Sequence, residues 1–282
     1  MDVTTAPLPT AVADYEVLHL IGAGAHGRCY LARPPARLGL DEEVVVLKVL
    51  DDRVGEQAFT RGVRVLRAVS AAASPYVVRV FDAAREDAVR EDTAVYAMEH
   101  CPLGSLADSA RPLARIEVLT ALEHTARAAH DLHQAGIAHG GIHPGNVLLV
   151  EEPGGMLGGR LSDPGLARVL TPGAVVTGTG RVDPLAFTDP ALITGAAPSR
   201  RTEVWALGAT IHRALTGVGL YDEPLGPQPL DAIRQVLTTR PQVRPGLEPA
   251  EAALVRACLE DSARLGTAAD VADGLAVLRS LP

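Results

Sequence analysis

The sequence predicts an α+β protein of two lobes, in which a small β-rich lobe precedes a larger α-helical lobe. Two observations predict this order. From Tyr15 onward, alternating apolar residues and β-branched runs predominate, as they do in the strands of an antiparallel sheet. Later in the chain, apolar residues recur at helical spacing instead. We therefore expect an N-terminal lobe at about residues 14–98, a joining segment at 99–103 and a C-terminal lobe at 104–282.

The N-terminal lobe is predicted to contain five strands and one helix. Residues 1–13 are small, polar and Pro-containing, which predicts a flexible lead-in before the first strand. Residues 54–70 place Phe59, Leu66 and Val69 at helical spacing, so a helix is expected between the third and fourth strands. The predicted strands are, in chain order, YEVLHLIG, RCYLA, EEVVVLKVL, VVRVFDAA and TAVYAMEH.

The C-terminal lobe is predicted to be helical apart from one short β region. The stretch RIEVLTALEHTARAAHDLHQAG keeps a long apolar stripe and stops at Gly136, a plausible helix end. A short β region is expected at about residues 147–163. From about Thr202 to the end of the sequence only helices are expected.

Composition excludes some classes of partner and location. A formal net charge of −8 over 282 residues disfavours nucleic acid or an anionic membrane as a general partner. The three cysteines are widely spread and lack the paired spacing of a zinc site or a disulfide framework, which favours a reducing cytoplasm. The sequence contains no apolar stretch long enough to span a membrane, so we expect a cytoplasmic protein.

A glycine-rich motif and a lysine suggest a phosphate site in the first lobe. Gly22, Gly24 and Gly27 have G-x-G-x-x-G spacing and lie between two predicted strands, whereas a dinucleotide fingerprint would open into a helix. By itself the motif fits a plain glycine-rich hairpin turn equally well. Lys48 follows in the apolar strand VVVLKVL, where a buried ammonium needs an anionic partner, and a phosphate would serve.

Further motifs complete a resemblance to a known family. The segment AHGGIHPGN at 138–146 has the form H-x-x-x-x-P-x-N, and LSDPGLAR at 161–168 contains D-x-G with Pro164 at the middle position. With the glycine loop and the strand lysine before them, these motifs resemble the bacterial-type Ser/Thr protein kinase family. MEHCPLGSL at 98–106 resembles its hinge, and TEVWALGATIHRALTG at 202–217 resembles the helix that anchors its catalytic loop. The resemblance covers about residues 14–280 and implies a bilobal protein kinase-like fold.

The resemblance implies a nucleotide site. The expected cofactor is ATP or ADP with magnesium, and Asn146 and Asp163 match the two side chains that hold the metal in the family. The nucleotide-binding residues implied by the matching motifs are Gly22, Gly24, Gly27, Cys29, Lys48, Met98, Glu99, Cys101, Asn146 and Asp163.

The departures from the family concern phosphate transfer. Gly141 occupies the position of the catalytic Asp, and no carboxylate lies between Asp131 and Glu151. Gly62 stands where the family has the helix glutamate that pairs with the strand lysine, and no Asp or Glu occurs from 57 through 81. Gly140 replaces the arginine that reads activation-loop phosphate in the family. We therefore assign no catalytic residue and interpret the chain as a degenerate member, a pseudokinase.

Several residues admit two interpretations. His139 fits a structural role better than that of a base, and His143 could contact phosphate or simply be a solvated loop residue. The repeated arginines Arg61, Arg64 and Arg67 could bind an acidic or phosphorylated partner, or form a solvated helix face. Cys101, in the hinge, is expected to be exposed.

The functional hypothesis is a regulatory or scaffolding module that binds nucleotide and acts through protein partners. One alternative is a weakly active or atypical kinase, or another nucleotide transferase, that works by positioning and metal electrostatics, because phosphoryl transfer depends heavily on both. A second alternative is a scaffold whose pocket stays empty. The partners expected are a nucleotide and proteins of unknown identity, with no nucleic acid and no membrane span.

Overall fold

The structure, a computed structural model, describes residues 9–24, 27–53, 56–86, 93–163, 183–221, 225–226, 228–260 and 265–281. The chain divides into two compact units, and one boundary between them falls between His100 and Cys101, within the predicted joining segment. The first unit holds described residues 9–70 and 79–100, and the second holds 71–78 and all described residues from 101 onward.

The first unit contains one six-stranded sheet in which every neighbouring pair of strands is antiparallel. All five predicted strands occur, and one short strand precedes them. The order across the sheet is β1-β2-β3-β4-β6-β5. The strands are β1 Ala11–Val12, β2 Tyr15–Gly24, β3 Gly27–Arg33, β4 Val45–Arg53, β5 Val80–Glu86 and β6 Thr93–Met98.

The added strand corrects the prediction of a flexible lead-in through residue 13. Val12 pairs with Tyr15 across the β1–β2 turn, and each side chain is only 1% exposed. The Tyr15 hydroxyl also donates a hydrogen bond of 2.8 Å to Asp82 of β5. The chain is therefore packed from β1 onward, where the buried side chain of Val12 holds the strand against the sheet. A strand of two residues is too short to show a periodic pattern in the sequence.

The core of the first unit follows the alternation read from the sequence. Val45, Leu47 and Val49 of β4 are buried and belong to one apolar cluster with residues of the neighbouring strands. The predicted helix is present as α1, Glu56–Ala71, whose buried residues include Leu66 and Val69. Alternate positions of the central strand thus form the core, as period-two patterning requires.

The segment before β5 differs from the prediction. Val77 and Val78 were expected to begin the fourth strand of the first lobe, but β5 starts at Val80. Val77 instead forms a parallel bridge with Leu161, and the backbone N–H of Val78 donates to the Leu161 carbonyl at 3.0 Å. Both valines are buried. Residues 71–78 consequently belong to the second unit, so the described residues of the first unit come from two separate stretches of chain.

The described part of the second unit is mainly helical and contains one β-hairpin, as predicted. The long helix α2, Arg115–Gln134, packs against the hairpin of β7, Val147–Glu151, and β8, Leu157–Leu161. A Cβ atom at Gly159 would lie 2.6 Å from the Ala121 carbonyl oxygen, so this glycine allows β8 to touch α2 closely. The other α-helices among the described residues are α3 Pro190–Ile193, α4 Arg200–Thr216, α5 Pro229–Thr238, α6 Pro249–Leu259 and α7 Ala268–Ser280.

Helix starts in this unit carry recognisable caps. The Ser199 hydroxyl accepts from the backbone N–H of Thr202 at the start of α4, and the Thr267 hydroxyl accepts from that of Asp270 at the start of α7. Across the described residues, no helix combines the length and the apolar character needed to span a bilayer.

Candidate functional site

The register of the first sheet aligns several of the predicted nucleotide-binding residues. Gly22 pairs with Cys29, Cys29 pairs with Lys48, and Lys48 pairs with Tyr96 across β2, β3, β4 and β6. Directly paired residues of antiparallel strands place their side chains on the same face. Gly22, Cys29 and Lys48 therefore lie next to one another on one face of the sheet.

The glycine motif lies between two strands, as predicted. Gly22 lies near the end of β2, Gly24 is its last residue and Gly27 begins β3. Ala25 and His26 lie outside the described residues. A Cβ atom at Gly27 would lie 2.0 Å from the Val49 carbonyl oxygen, so close contact between β3 and β4 requires this glycine. A Cβ atom at Gly22 would have no neighbour within 4 Å, so packing does not require that glycine. An open surface at Gly22 would let a ligand approach the backbone closely.

Lys48 is buried, with 8% of its surface exposed, and its neighbours in the sequence, Leu47 and Val49, are buried as well. A buried ammonium is stabilised by anionic groups, which fits the predicted phosphate contact. Tyr96, directly opposite, is fully buried, and its hydroxyl has no hydrogen-bond partner among the described residues. Burial raises the pKa of the Tyr96 hydroxyl well above its usual value.

The predicted hinge residues have definite contacts. Met98 is buried and pairs with Val46 and Val80 at the end of β6. The backbone N–H of Glu99 donates to the Arg79 carbonyl at 2.9 Å, and the Glu99 carboxylate accepts from the Arg79 backbone at 3.2 Å. These bonds fix the chain as it leaves the sheet.

Cys101 is not exposed, which corrects the sequence prediction. It belongs to the second unit and only 8% of its surface is accessible. Its carbonyl accepts from the backbone N–H of Gly104 at 3.4 Å in a turn. A free cysteine behaves as a small apolar side chain, which explains why it is buried although the segment around it is a connection.

In the second unit, the predicted catalytic loop is held by a network around His139. This side chain is fully buried, and its Nε2 lies 2.9 Å from the Ser162 carbonyl oxygen. The backbone N–H of Gly141 donates to His139 Nδ1 at 3.2 Å, so Nδ1 is the acceptor and Nε2 carries the proton. Both ring nitrogens are engaged in fixing the loop, which supports the structural role predicted for His139.

Asn146 fastens the end of the same loop. Its Nδ2 donates to the Gly141 carbonyl at 2.8 Å, while its own carbonyl accepts from the backbone N–H of Ser162 at 2.8 Å. Since the amide nitrogen of Asn146 is used in the loop, its side-chain oxygen remains the atom suited to a metal. The network therefore links Asn146 to the residue that precedes Asp163.

Asp163 has a backbone φ of 58°, in the left-handed region that residues other than glycine rarely adopt. Such a conformation persists where the surroundings hold it, and it is found often at functional sites. Here Ser162 is held by both Asn146 and His139. The next residue, Pro164, lies outside the described residues.

Gly141, at the position where the resemblance implies a catalytic Asp, has no side chain, and the two neighbouring acids in the sequence lie in other elements. Asp131, on α2, accepts a hydrogen bond of 2.6 Å from Ser74 Oγ. Glu151 ends β7, five residues beyond Asn146, and an extended strand of that length covers about 16 Å. A Cβ atom at Gly141 would lie 3.5 Å from Asn146 Nδ2, an ordinary contact, so space does not require a glycine here.

His143 caps the 3-10 turn Pro144–Asn146. Its Nδ1 accepts from the backbone N–H of Gly145 at 3.2 Å, and its ring centroid lies 6.0 Å from that of Phe187. The loop thus orients the imidazole by one ring nitrogen.

A buried carboxylate anchors this loop from α4. Glu203 accepts a hydrogen bond from the backbone N–H of Gly140, and its Oε2 lies 2.6 Å from His133 Nε2. Burial acts to raise the pKa of Glu203, but the hydrogen bonds from His133 and Gly140 outweigh it and hold this pKa below its usual value. The segment predicted to anchor the catalytic loop therefore does so through a residue that the sequence analysis had not singled out. A lone carboxylate in the apolar run TEVWALG was the available signal.

Comparison with known proteins gives the class. A family model described as a protein kinase domain matches residues 15–265, and the chain belongs to the protein kinase family, which confirms the predicted fold.

Its relatives are bacterial Ser/Thr kinases. The chain is 34% identical over 213 residues to the DNA damage-responsive serine/threonine-protein kinase RqkA of Deinococcus radiodurans, covering 72% of this chain and 30% of that protein. It is 31% identical over 283 residues to the serine/threonine-protein kinase PknK of Mycobacterium tuberculosis, covering 97% and 24%. It is 28% identical over 258 residues to the serine/threonine-protein kinase AfsK of Streptomyces griseus, covering 89% and 30%. The matched regions thus span 24% to 30% of the length of these relatives.

Proposed function

We propose that this chain is a pseudokinase, a kinase-fold module that binds ATP or ADP with magnesium and acts through protein partners without transferring phosphate efficiently. The observation that carries this proposal is Gly141. The loop around it keeps its hydrogen bonds to His139 and Asn146, yet the position of the base has no side chain and neither flanking acid replaces it. Losing general-base assistance costs about 10²- to 10⁴-fold in rate.

Nucleotide binding is proposed because the residues suited to it remain. In the first unit these residues are Gly22, Gly24, Gly27, Cys29, Lys48, Met98 and Glu99. In the second unit they are Cys101, Asn146 and Asp163. Magnesium favours oxygen ligands and commonly uses one or two protein side chains, with water and phosphate oxygens completing the shell. The amide oxygen of Asn146 and the carboxylate of Asp163 are such ligands. Among the described residues no three His, Cys, Asp or Glu side chains are grouped to hold a metal, so water and phosphate oxygens would complete the shell.

A regulatory role is proposed from the helix α1. Gly62 is buried on α1 at the position of the family's helix glutamate, so a carboxylate from this position is unavailable to Lys48. A glycine inside a helix also costs about 0.5 to 1 kcal/mol relative to alanine. A helix without its internal ion pair, and with a glycine in its interior, suits a module whose conformation a partner sets. The three free cysteines agree with a cytoplasmic location for such a module.

A weakly active or atypical kinase is the second candidate. The observation that favours it is the retention of Asn146 and Asp163, together with the left-handed backbone of Asp163. Phosphoryl transfer relies largely on positioning and on metal electrostatics, so a missing base alone does not abolish it. An empty scaffold is the third candidate and would require neither binding nor turnover.

Two measurements on the same protein separate these candidates. Calorimetric titration with ATP, with and without magnesium, tests binding, and turnover of γ-labelled ATP tests transfer. The pseudokinase predicts magnesium-dependent binding with negligible turnover. Robust magnesium-dependent autophosphorylation that disappears in Asp163→Ala would contradict the proposal in favour of an active kinase. Absence of binding at millimolar ATP would leave the scaffold.

A further inference from the structure

The outer face of α1 carries an arginine series that the nucleotide site does not use. Arg61, Arg64 and Arg67 are all exposed, and they recur at every third residue along the helix. Over these six residues an α-helix rises about 9 Å. No Asp or Glu occurs from 57 through 81, so the sequence offers these side chains no acid on the later part of the helix or just beyond it.

The three arginines differ from several other exposed arginines of the same chain. Arg33 pairs with Glu16 at 2.9 Å, Arg79 with Glu42 at 2.7 Å, and Arg111 with Glu117 at 2.5 Å. The ion pairs formed by the described residues include none for Arg61, Arg64 or Arg67. In a chain with 34 acidic and 26 basic residues, this helix thus displays three neighbouring cations that form no ion pair within the part of the chain that the structure describes.

This arrangement costs the isolated helix stability. Residues three positions apart on a helix are neighbours, so like charges at that spacing repel one another. The helix dipole does not offset the repulsion, because no arginine lies in the last turn, where a cation would be favoured. Gly62, between the first two arginines, weakens the helix further. Anionic groups supplied from outside would relieve the repulsion and order the helix.

We propose that this arginine face of α1 binds an acidic segment of a partner protein in an extended conformation. Alternate residues of an extended segment lie on one side about 6.8 Å apart, so acidic residues at alternate positions could reach successive arginines over the 9 Å of helix. Guanidinium groups bind carboxylates bidentately, which gives the pairing geometric specificity. A nucleic acid or an anionic membrane is the poorer match, because the chain as a whole carries a net charge of −8.

The inference rests on the proposed function, since it names the surface by which a partner would act on α1. The helix presents the buried Gly62 on one side and the arginines on the other. A segment bound to the arginines would therefore fix the helix from outside, where the family uses a carboxylate on the helix itself to fix it from within.

The test uses a fluorescein-labelled peptide with Glu at alternate positions, titrated with the full chain at low salt and followed by fluorescence anisotropy. The test variant is R61Q/R64Q/R67Q. The matched control is R234Q/R240Q/R256Q, which removes three exposed arginines of the second unit and changes the net charge equally. We expect the test variant to bind the peptide about tenfold more weakly and the control to bind it like the wild type. Added peptide should also slow hydrogen exchange of the α1 amides in the wild type only.

Four results would overturn the inference. Equal weakening in both triple variants would show a general charge effect, and wild-type affinity in R61Q/R64Q/R67Q would exclude the arginine face. Tighter binding of duplex DNA or of anionic phosphatidylserine vesicles through the same arginines would assign the surface to another class of partner. ATP titration of each variant keeps the two proposals apart, because none of these arginines is among the nucleotide-binding residues. A chain that binds ATP but not the peptide would refute the docking surface and leave the proposed function standing.

Discussion

The backbone N–H of Gly140 donates a hydrogen bond to the carboxylate of Glu203, a residue 63 positions further along the chain. The same carboxylate pairs with His133 of α2, so one buried acid joins two helices to the loop. The loop keeps this support although the residue after Gly140 offers no side chain for catalysis.

We expect Glu203→Ala to lower the free energy of unfolding by about 3 to 5 kcal/mol, because it strips a buried pair of one partner and leaves the Gly140 N–H unpaired. Urea unfolding monitored by circular dichroism measures this loss. Glu123→Ala serves as the comparison. That carboxylate is also largely buried but is bound by Arg127 and Arg279, which are about one-third exposed and can return to water. A loss no larger than that of Glu123→Ala would refute the anchoring role.

The same carboxylate should make stability depend on acidity. Its pKa is lower in the folded protein than the usual 4.5, so it contributes stability that is present above about pH 4.5 and is lost as the pH falls through the folded value. Below pH 4.5 the wild type should therefore lose stability more steeply than Glu203→Gln, which has no proton to gain. Parallel stability curves for the two proteins would contradict this expectation.

Gly140 and Gly141 are adjacent, yet replacing them by alanine should lower the free energy of unfolding by different amounts. Gly140 has φ of 75°, so Gly140→Ala is expected to cost about 1 to 2 kcal/mol in backbone strain. Gly141 has no such φ, and its Cβ position meets Asn146 only at ordinary contact distance, so Gly141→Ala should cost less than about 0.5 kcal/mol. Chemical denaturation of the two variants checks the difference, and equal losses would argue against it.

Two buried tyrosines provide a second matched pair. The Tyr15 hydroxyl donates to Asp82, so Tyr15→Phe should destabilise by about 1 kcal/mol or more. The Tyr96 hydroxyl has no partner among the described residues, so Tyr96→Phe should be neutral or stabilise by about 1 kcal/mol. Melting temperatures in the absence of nucleotide suffice for this comparison. Marked destabilisation by Tyr96→Phe would reveal a partner for that hydroxyl.

Nucleotide should stabilise the fold if the proposed pocket binds it. A ligand at a hundredfold excess over its dissociation constant adds about 2.7 kcal/mol to the free energy of unfolding. We expect ATP with magnesium to raise the melting temperature of the wild type and Lys48→Ala to remove that shift. Arg33→Ala, which removes an exposed cation from β3, should retain it. A shift that persists in Lys48→Ala would place the nucleotide elsewhere.

The strands were predictable because their alternation has a physical cause. Val45, Leu47 and Val49 face one core, and this alternation of side chains with a period of two can be read from the sequence. The strand Ala11–Val12 was missed because two residues have no period, and its evidence is a contact with Tyr15 that no local pattern records. Val77 and Val78 looked like the start of the next strand, although a distant residue, Leu161, is their partner.

The site was predictable as a set of residues but not as an arrangement. Motif spacing identified Lys48, Asn146 and Asp163. The cross-strand pairing of Lys48 with Tyr96 depends on strand register, which cannot be read from the sequence. Exposure of Cys101 was wrongly inferred from its place in a connection, because burial depends on what packs over a residue. Glu203 escaped notice because its partners, Gly140 and His133, lie far away in the chain.

The bridge between Val77 and Leu161 also bears on how the chain can be cut. Residues 71–78 lie between two stretches of the first unit but pack within the second, where the tilted rings of Tyr76 and His124 have centroids 4.7 Å apart. A single cleavage at residue 100 would therefore cut the covalent link between this segment and most of the second unit, but not the contacts between them. Pulling the two pieces apart would expose Val77 and Val78 on the N-terminal piece and remove the backbone that pairs with Leu161 from the C-terminal piece. Limited proteolysis at the joining segment should accordingly yield two pieces that stay associated until denatured.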